Sequence, residues 1–401
     1  MSLVTYLDSA FGHITHGTEA SRWAGSGAMA LTGDADGAPL APAAPVAGVM
    51  AAAGALLSEL APGAVADAPA LLGERAALLG LTRAGRVSCG GATRLLPGSD
   101  GWLAVALARP DDWGSVEAWL GCEPNWDAVT AAVARLPAEE TAERGWLLGL
   151  PVSIVSDGAA PTAPSPWRIS PGGCLGQRRE GPALVVDLSA LWAGPLCGDL
   201  WCRSGATVVK VEDPARPDGA RRGHPGFFAL LNGAKRPLSA PIDSPELRRL
   251  VADADVVITS GRRRAFDHAG LDVDAVLTAS PTVWIAITAH GWSGDAADRV
   301  GFGDDTAAGA GLVATHPVGG APRFVADAVA DPLCGTLAAV AGLAARAAGG
   351  SWLIDASLSG AARYAVGRGT DGPAVPADAD GRGGWSVGGE TVRAPRARAV
   401  R

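Results

Sequence analysis

Several features that would place a sequence quickly are missing here, and each absence removes a class of protein. The six cysteines (Cys89, Cys122, Cys174, Cys197, Cys202, Cys334) form no CxxC pair. Cys197 and Cys202 fall on one expected helix and read as buried thiols. No GxGxxG follows the first expected strand; Ala193 to Gly198 (AGPLCG) has the wrong spacing for a dinucleotide fingerprint. There is no GxSxG, hence no nucleophile elbow, and no spacing supports a Ser/His/Asp triad. His13 and His16 make an HxxH without a third ligand nearby, and His224, His268, His290 and His316 stand singly. The first residues lack a basic stretch and a sustained apolar core, so no signal peptide is expected. No run of about 18 apolar residues escapes charges or Pro/Gly breaks, which argues against a membrane span and for a cytoplasmic protein. A net charge of -8 argues against a nucleic-acid surface.

What is present is patterned. Gly 55 and Pro 29 in 401 residues stay short of low complexity, and 48% hydrophobic content suits a folded chain with an ample core. The second half alternates apolar runs with helical lengths. Strands are expected at 183–187, 207–212, 255–259, 283–288 and 352–356, and helices at 195–204, 244–253, 272–279, 304–314 and 331–347. Such alternation predicts an α/β fold with a Rossmann-like parallel sheet. The first half predicts a smaller α/β domain: strands at 86–88, 102–107 and 148–155, a turn at Pro97 to Gly101, and helices at 66–80, 111–120 and 125–147. The expected division is an N-terminal helical segment (1–65), a small α/β domain (66–156), a linker (157–180), the Rossmann-like domain (181–368) and a poorly ordered tail (369–401) with a solvated basic end. Residues 24–48 also line up without gaps with 307–331, matching at Thr32/Thr315, Gly37/Gly320, Pro39/Pro322 and Val46/Val329 and ending on Gly48 opposite Asp331.

Two motifs open the second half: Asp187-Leu188-Ser189 with Ala193-Gly194-Pro195, then Gly205-Ala206-Thr207-Val208-Val209-Lys210-Val211-Glu212. With this separation they resemble the opening of the family III CoA-transferases, the group of formyl-CoA transferase, carnitine CoA-transferase and α-methylacyl-CoA racemase. The resemblance continues through Leu231-Asn232-Gly233-Ala234-Lys235-Arg236, Ala254 to Ile258, and Gly291-Trp292-Ser293-Gly294 with Arg299, Gly301 and Phe302. The segments stand in a rearranged order: residues 23–60 resemble the family's central region and 66–155 its small domain, ahead of the nucleotide-binding half.

The resemblance implies CoA transfer between carboxylic acids through a covalent aspartyl-CoA intermediate. Asp331 matches the family's nucleophile, with Asp327 as fallback. By motif position Leu191 and Trp192 would lie near adenosine and pantetheine. Asn232, Lys235, Arg236, Gly261 and Arg262 would serve the CoA site, the basic groups facing phosphates at strand C-terminal ends. A helix N-terminus should keep Asp331 ionised; judged locally, an Asp before Pro is also an ordinary N-cap. No cofactor is implied beyond the CoA of the substrate, and no metal. The partners implied are an acyl-CoA, a carboxylic acid and a second copy in a homodimer. Some residues depart from the pattern. Phe302 stands where the racemase branch has its His, bulky Trp192 hints at a larger acyl group, and Ser260-Gly261 and Asp213 replace family residues. A non-catalytic acyl-CoA-binding remnant, and less so a racemase, stay open as alternatives.

Overall fold

The chain turns at Gly98 to Gly101, where the Gly98 N–H donates to the Gly101 carbonyl (2.7 Å). The structure is a computed structural model that describes residues 3–11, 19–156, 162–177, 179–369, 374–381 and 383–400. His13 and His16 lie outside the described residues. Around the turn, β1 (Thr93–Pro97) pairs antiparallel with β2 (Trp102–Ala106), and β3 (Val152–Ile154) adds to β2. The turn's partner is thus Thr93–Pro97; the expected strand at 86–88 contributes only a bridge from Val87 to Arg94. Among the helices that precede this sheet, after a first one at Leu3–Phe11, are α1 (Glu19–Ser26), α2 (Val46–Leu60) and α3 (Glu74–Leu79). The helical stretch at 125–147 divides at Pro137, which starts α4 (Ala138–Leu147).

The second half builds a seven-stranded sheet. Its strands are β4 (Trp167–Pro171), β5 (Leu184–Leu188), β6 (Thr207–Glu212), β7 (Arg236–Ser239), β8 (Val256–Thr259), β9 (Val283–Thr288) and β10 (Trp352–Ser357), in spatial order β4-β10-β9-β8-β5-β6-β7. All neighbours are parallel except β4 against β10. Consecutive apolar residues are needed because both faces are covered. Val185 faces one core with α5 (Ala193–Arg203) and α7 (Ala330–Ala348), while Val186 faces another with the 245–253 and 273–279 helices. Between them in sequence, α6 (Gly303–Gly309) bridges the small sheet and the large one, touching β2, β3 and α8 (Leu358–Val366). At the crossing of α7 and α5 a Cβ on Gly335 would stand 2.3 Å from the Ala193 carbonyl oxygen, so only glycine permits that approach.

The tail departs from expectation. Ala374, Ala377 and Val387 are buried, and short strands at 375–391 run back toward the N-terminal helices. Near the end, Arg398 gives hydrogen bonds to Glu74 (2.6 and 2.8 Å) and Asp199 (2.9 Å), two carboxylates almost without exposure. A basic end is usually solvated; this one finds buried counter-charges from α3 and α5. Among the described residues no helix is long and apolar enough to cross a membrane.

Candidate active site

The loops after β5, β8 and β9 open a cleft of about 90 Å³ at the C-terminal edge of the sheet, where open α/β sheets take their ligands. Ala190, Leu191, Ser260, Thr288, Phe302 and Asp331 all line it. That volume holds the reacting end of a small acid. A nucleotide would have to lie along the rim.

Asp331 is the second residue of α7, after an N-cap Val329 without a side-chain bond, so it is not the ordinary cap that Asp-Pro would make. The N–H groups of Ala193 and Gly303, the first residues of α5 and α6, face its carboxylate and favour its charged form. Three helix N-termini therefore converge on one carboxylate. Only glycine fits at 303, because a Cβ there would stand 2.2 Å from Asp331 Oδ2. The expectation that these dipoles keep Asp331 fully ionised is not met. Burial pushes it up to about 7, against Arg75 and the two N–H groups, and Asp327 adds to the rise. Asp331 keeps a partial opening to the cleft, so it is less enclosed than its carboxylate neighbours.

Those neighbours form a shell that local sequence did not announce. Arg75 of α3 grips Asp327 with both oxygens (2.8 and 2.5 Å) and lies over Trp192, 5.5 Å from the ring centroid. Asp327, the fallback candidate, is wholly buried in this bidentate pair, so it does not face the cleft. Burial pushes Asp304 up to about 7, with Asp327 adding to the rise, and it pushes Asp305 up to about 8. Asp304 accepts the Ala328 N–H (2.9 Å) and so holds the loop that leads into α7. In that loop Ala326 and Ala328 adopt φ of 52° and 43°, and Leu191 beside the cleft adopts 70°. Each costs about 1–3 kcal/mol, and such strain gathers where a backbone is held for function.

The expected CoA-binding residues divide. Leu191 lines the cleft, and Gly261 and Arg262 follow its Ser260. Trp192 is buried behind it against Phe227 and Arg75, so its bulk does not line the cleft. Lys235 is not a phosphate ligand: its ammonium is buried and spends three donors on Asp187 (2.7 Å), the Pro195 carbonyl (2.8 Å) and Asn232 (2.9 Å). Asn232 is buried with it and donates to the Phe228 carbonyl. Arg236 is exposed but begins β7, opposite Val209 in mid-β6, rather than standing at a strand C-terminus. The cations near the rim are others. Partial burial and the charges of Arg264, Arg216 and Arg109 lower Arg262, which donates to the Asp298 carbonyl (3.1 Å). Arg109 lies over the Phe302 ring, 5.8 Å from its centroid.

The other repeat copy is closed. Its helix, α2, packs on α7, and Thr32 and Asp34 bond Ala326 and Arg323 of the second copy. At the N-terminus of α2 the Glu19 carboxylate accepts Ala47 and Gly48 N–H groups, each at 2.8 Å. A carboxylate from α1 thus covers the end where Gly48 replaces Asp331. Among the described residues no group of three or more His, Cys, Asp or Glu is arranged to hold a metal ion.

An α/β sheet with a carboxylate at its C-terminal edge defines a broad class, and comparison with known proteins narrows it. Residues 183–367, a little under half of the chain, match the model of CoA-transferase family III. A succinate–glutarate CoA-transferase of Agrobacterium fabrum is 31% identical over 170 residues, 38% of this chain and 42% of that protein. A succinyl-CoA–D-citramalate CoA-transferase of Chloroflexus aurantiacus is 29% identical over 174 residues, 40% of this chain and 43% of that one. The crystal structure of a CAIB/BAIF family protein from Brucella suis has 28% identity and a TM-score of 0.42, covering 47% of this chain and 55% of that chain. The chain therefore spans less than half the length of these curated relatives.

Proposed function

We propose that this protein transfers CoA between carboxylic acids, with Asp331 as the nucleophile. The observation that carries this reading is the convergence of three helix N-termini on a carboxylate open to a cleft, inside a stretch that matches the model of CoA-transferase family III. The Asp331 carboxylate attacks the thioester carbonyl of the donor, the C–S bond breaks, and a mixed anhydride and CoA thiolate result. The thiolate adds to the Asp331 carbonyl, the donor acid leaves, and an aspartyl-CoA thioester remains. The acceptor carboxylate repeats both steps in reverse and regenerates free Asp331. A covalent intermediate divides one hard exchange into easier steps. The Ala193 and Gly303 N–H groups are suited to the oxyanions that form at the Asp331 carbonyl.

The names of the two relatives suggest small dicarboxylic acids and their CoA thioesters, and the cleft's size agrees with a small acid. The Arg262, Arg216 and Arg109 rim supplies positive charge for CoA phosphates in place of Lys235. A transfer assay tests the reading: succinyl-CoA and a free dicarboxylic acid are incubated with wild type and with Asp331→Asn. Exchange of CoA by wild type and none by the variant is expected. Tight CoA binding without exchange would favour the remnant reading instead.

A further inference from the structure

We propose that a second cavity, walled by α4, β3, α6 and α8, is a binding site for a small oxyanion, a carboxylate in the first instance. It measures about 220 Å³ and is lined by Trp146, Ser153, His290, Arg299, Ser359 and Arg363 among others, with no carboxylate in its lining. Two guanidiniums thus share one cavity without a counter-charge there. Arg299 lies against Trp146, its Cζ 3.5 Å from the ring centroid, which fixes the guanidinium on the wall. Three other enclosed arginines have carboxylate partners, Arg75 with Asp327, Arg203 with Asp199 and Arg398 with Glu74, whereas Arg94 Nε and Arg346 Nε, like Arg363 Nε, are buried without a hydrogen-bond partner. Arg363 Nε and His290 Nε2 are both buried without a hydrogen-bond partner.

A buried polar atom left unpaired costs about 1–3 kcal/mol, more when charged, so the Arg363 Nε donor and the His290 Nε2 atom around one cavity point to a partner that arrives from outside. Arginine pairs favour a planar anion; the Ser359 hydroxyl can donate to it, while that of Ser153 already donates to Asp305 (3.4 Å). Burial and the two arginines lower the His290 pKa to about 4, so its ring is neutral there. The site is separate from the Asp331 cleft, though Thr306 and Gly309 of its wall belong to α6, whose first residue faces Asp331. The proposal does not depend on the CoA-transfer reading.

The test is calorimetric titration of the full chain with succinate and, separately, inorganic phosphate, using wild type, Arg363→Gln, Arg299→Gln and Asp331→Asn. Saturable binding of succinate that weakens by about tenfold or more in each arginine variant and persists in Asp331→Asn is expected. Phosphate bound with that same dependence, and succinate not, would keep the site and assign it to a phosphate group. Thermal unfolding supplies a second readout, because the anion should raise the transition temperature of wild type and not of Arg363→Gln. Arg363→Gln without ligand should be at least as stable as wild type, since it removes an unpaired buried charge. No saturable binding of either anion, or binding indifferent to both arginines, would overturn the proposal, as would loss of the binding in Asp331→Asn.

Discussion

Replacing Arg75 with Met keeps the bulk over Trp192 and removes only the charge. Asp327, with no exposure at all, then loses both of its guanidinium hydrogen bonds. Breaking a buried pair by removing one partner costs about 3–5 kcal/mol, because the remaining charge stays desolvated. Asp327 can escape that cost only by taking up a proton. The loss should therefore be small in acid and grow as pH rises. Asp331 responds in parallel: Arg75 is the strongest influence holding its pKa down, so without it the value rises above about 7 and less of the carboxylate is ionised at neutral pH. Equilibrium urea unfolding of wild type, Arg75→Met and Arg75→Met/Asp327→Asn measures the first effect. The double variant should regain at least half of the loss, since no charge remains buried. If both variants are equally destabilised, Arg75 acts by packing on Trp192 and the electrostatic account of the shell is wrong. A loss below about 1 kcal/mol in Arg75→Met, the size of a surface pair, would refute it too.

Three further outcomes follow from the geometry. Lys235→Met strands Asp187, which burial would push up but Lys235 and Lys210 hold low, so stability should fall by about 3–5 kcal/mol, as denaturant titration would show; a loss of CoA affinity in a variant of unchanged stability would restore Lys235 to the binding site. Covalent labelling through Asp331 should rise with pH through about 7 and then level, because only the carboxylate attacks; a rate flat from pH 5 to 9 would exclude a group of that pKa. Asp305, raised from an ordinary 3.8 to about 8, holds a proton in the folded state that the unfolded chain gives up, so its stability contribution is complete below about 4 and is lost as pH rises through about 8. Asp305→Asn should therefore show a shallower alkaline fall in unfolding free energy than wild type, and an identical slope would contradict the assignment.

How much was legible in the sequence follows the range of the interactions. Val283–Thr288 and the helix 330–348 were readable because burial leaves its mark on consecutive residues. Arg236–Ser239 was not: it is short, exposed at the sheet edge and contains Pro237. Trp167–Pro171 hid among Pro and Gly and was taken for linker. Asp331 and the cleft-lining Leu191 were reached through motif resemblance. Arg75 could not be, since its partner Asp327 lies 252 residues away and a lone Arg on a short helix carries no local signal. Lys235 was misplaced for the same reason, as the Asp187 that buries it lies 48 residues upstream. The tail's basic composition said nothing of the two buried carboxylates that Arg398 meets.

The central claim is that Asp331 carries CoA covalently. Intact-protein mass spectrometry after incubation with succinyl-CoA, on wild type and Asp331→Ala, tests it most directly. The account predicts a mass increase of one CoA, less water, on wild type that maps to the Asp331 peptide and is absent from the variant. An adduct that persists in Asp331→Ala, or that maps to another residue, would contradict it.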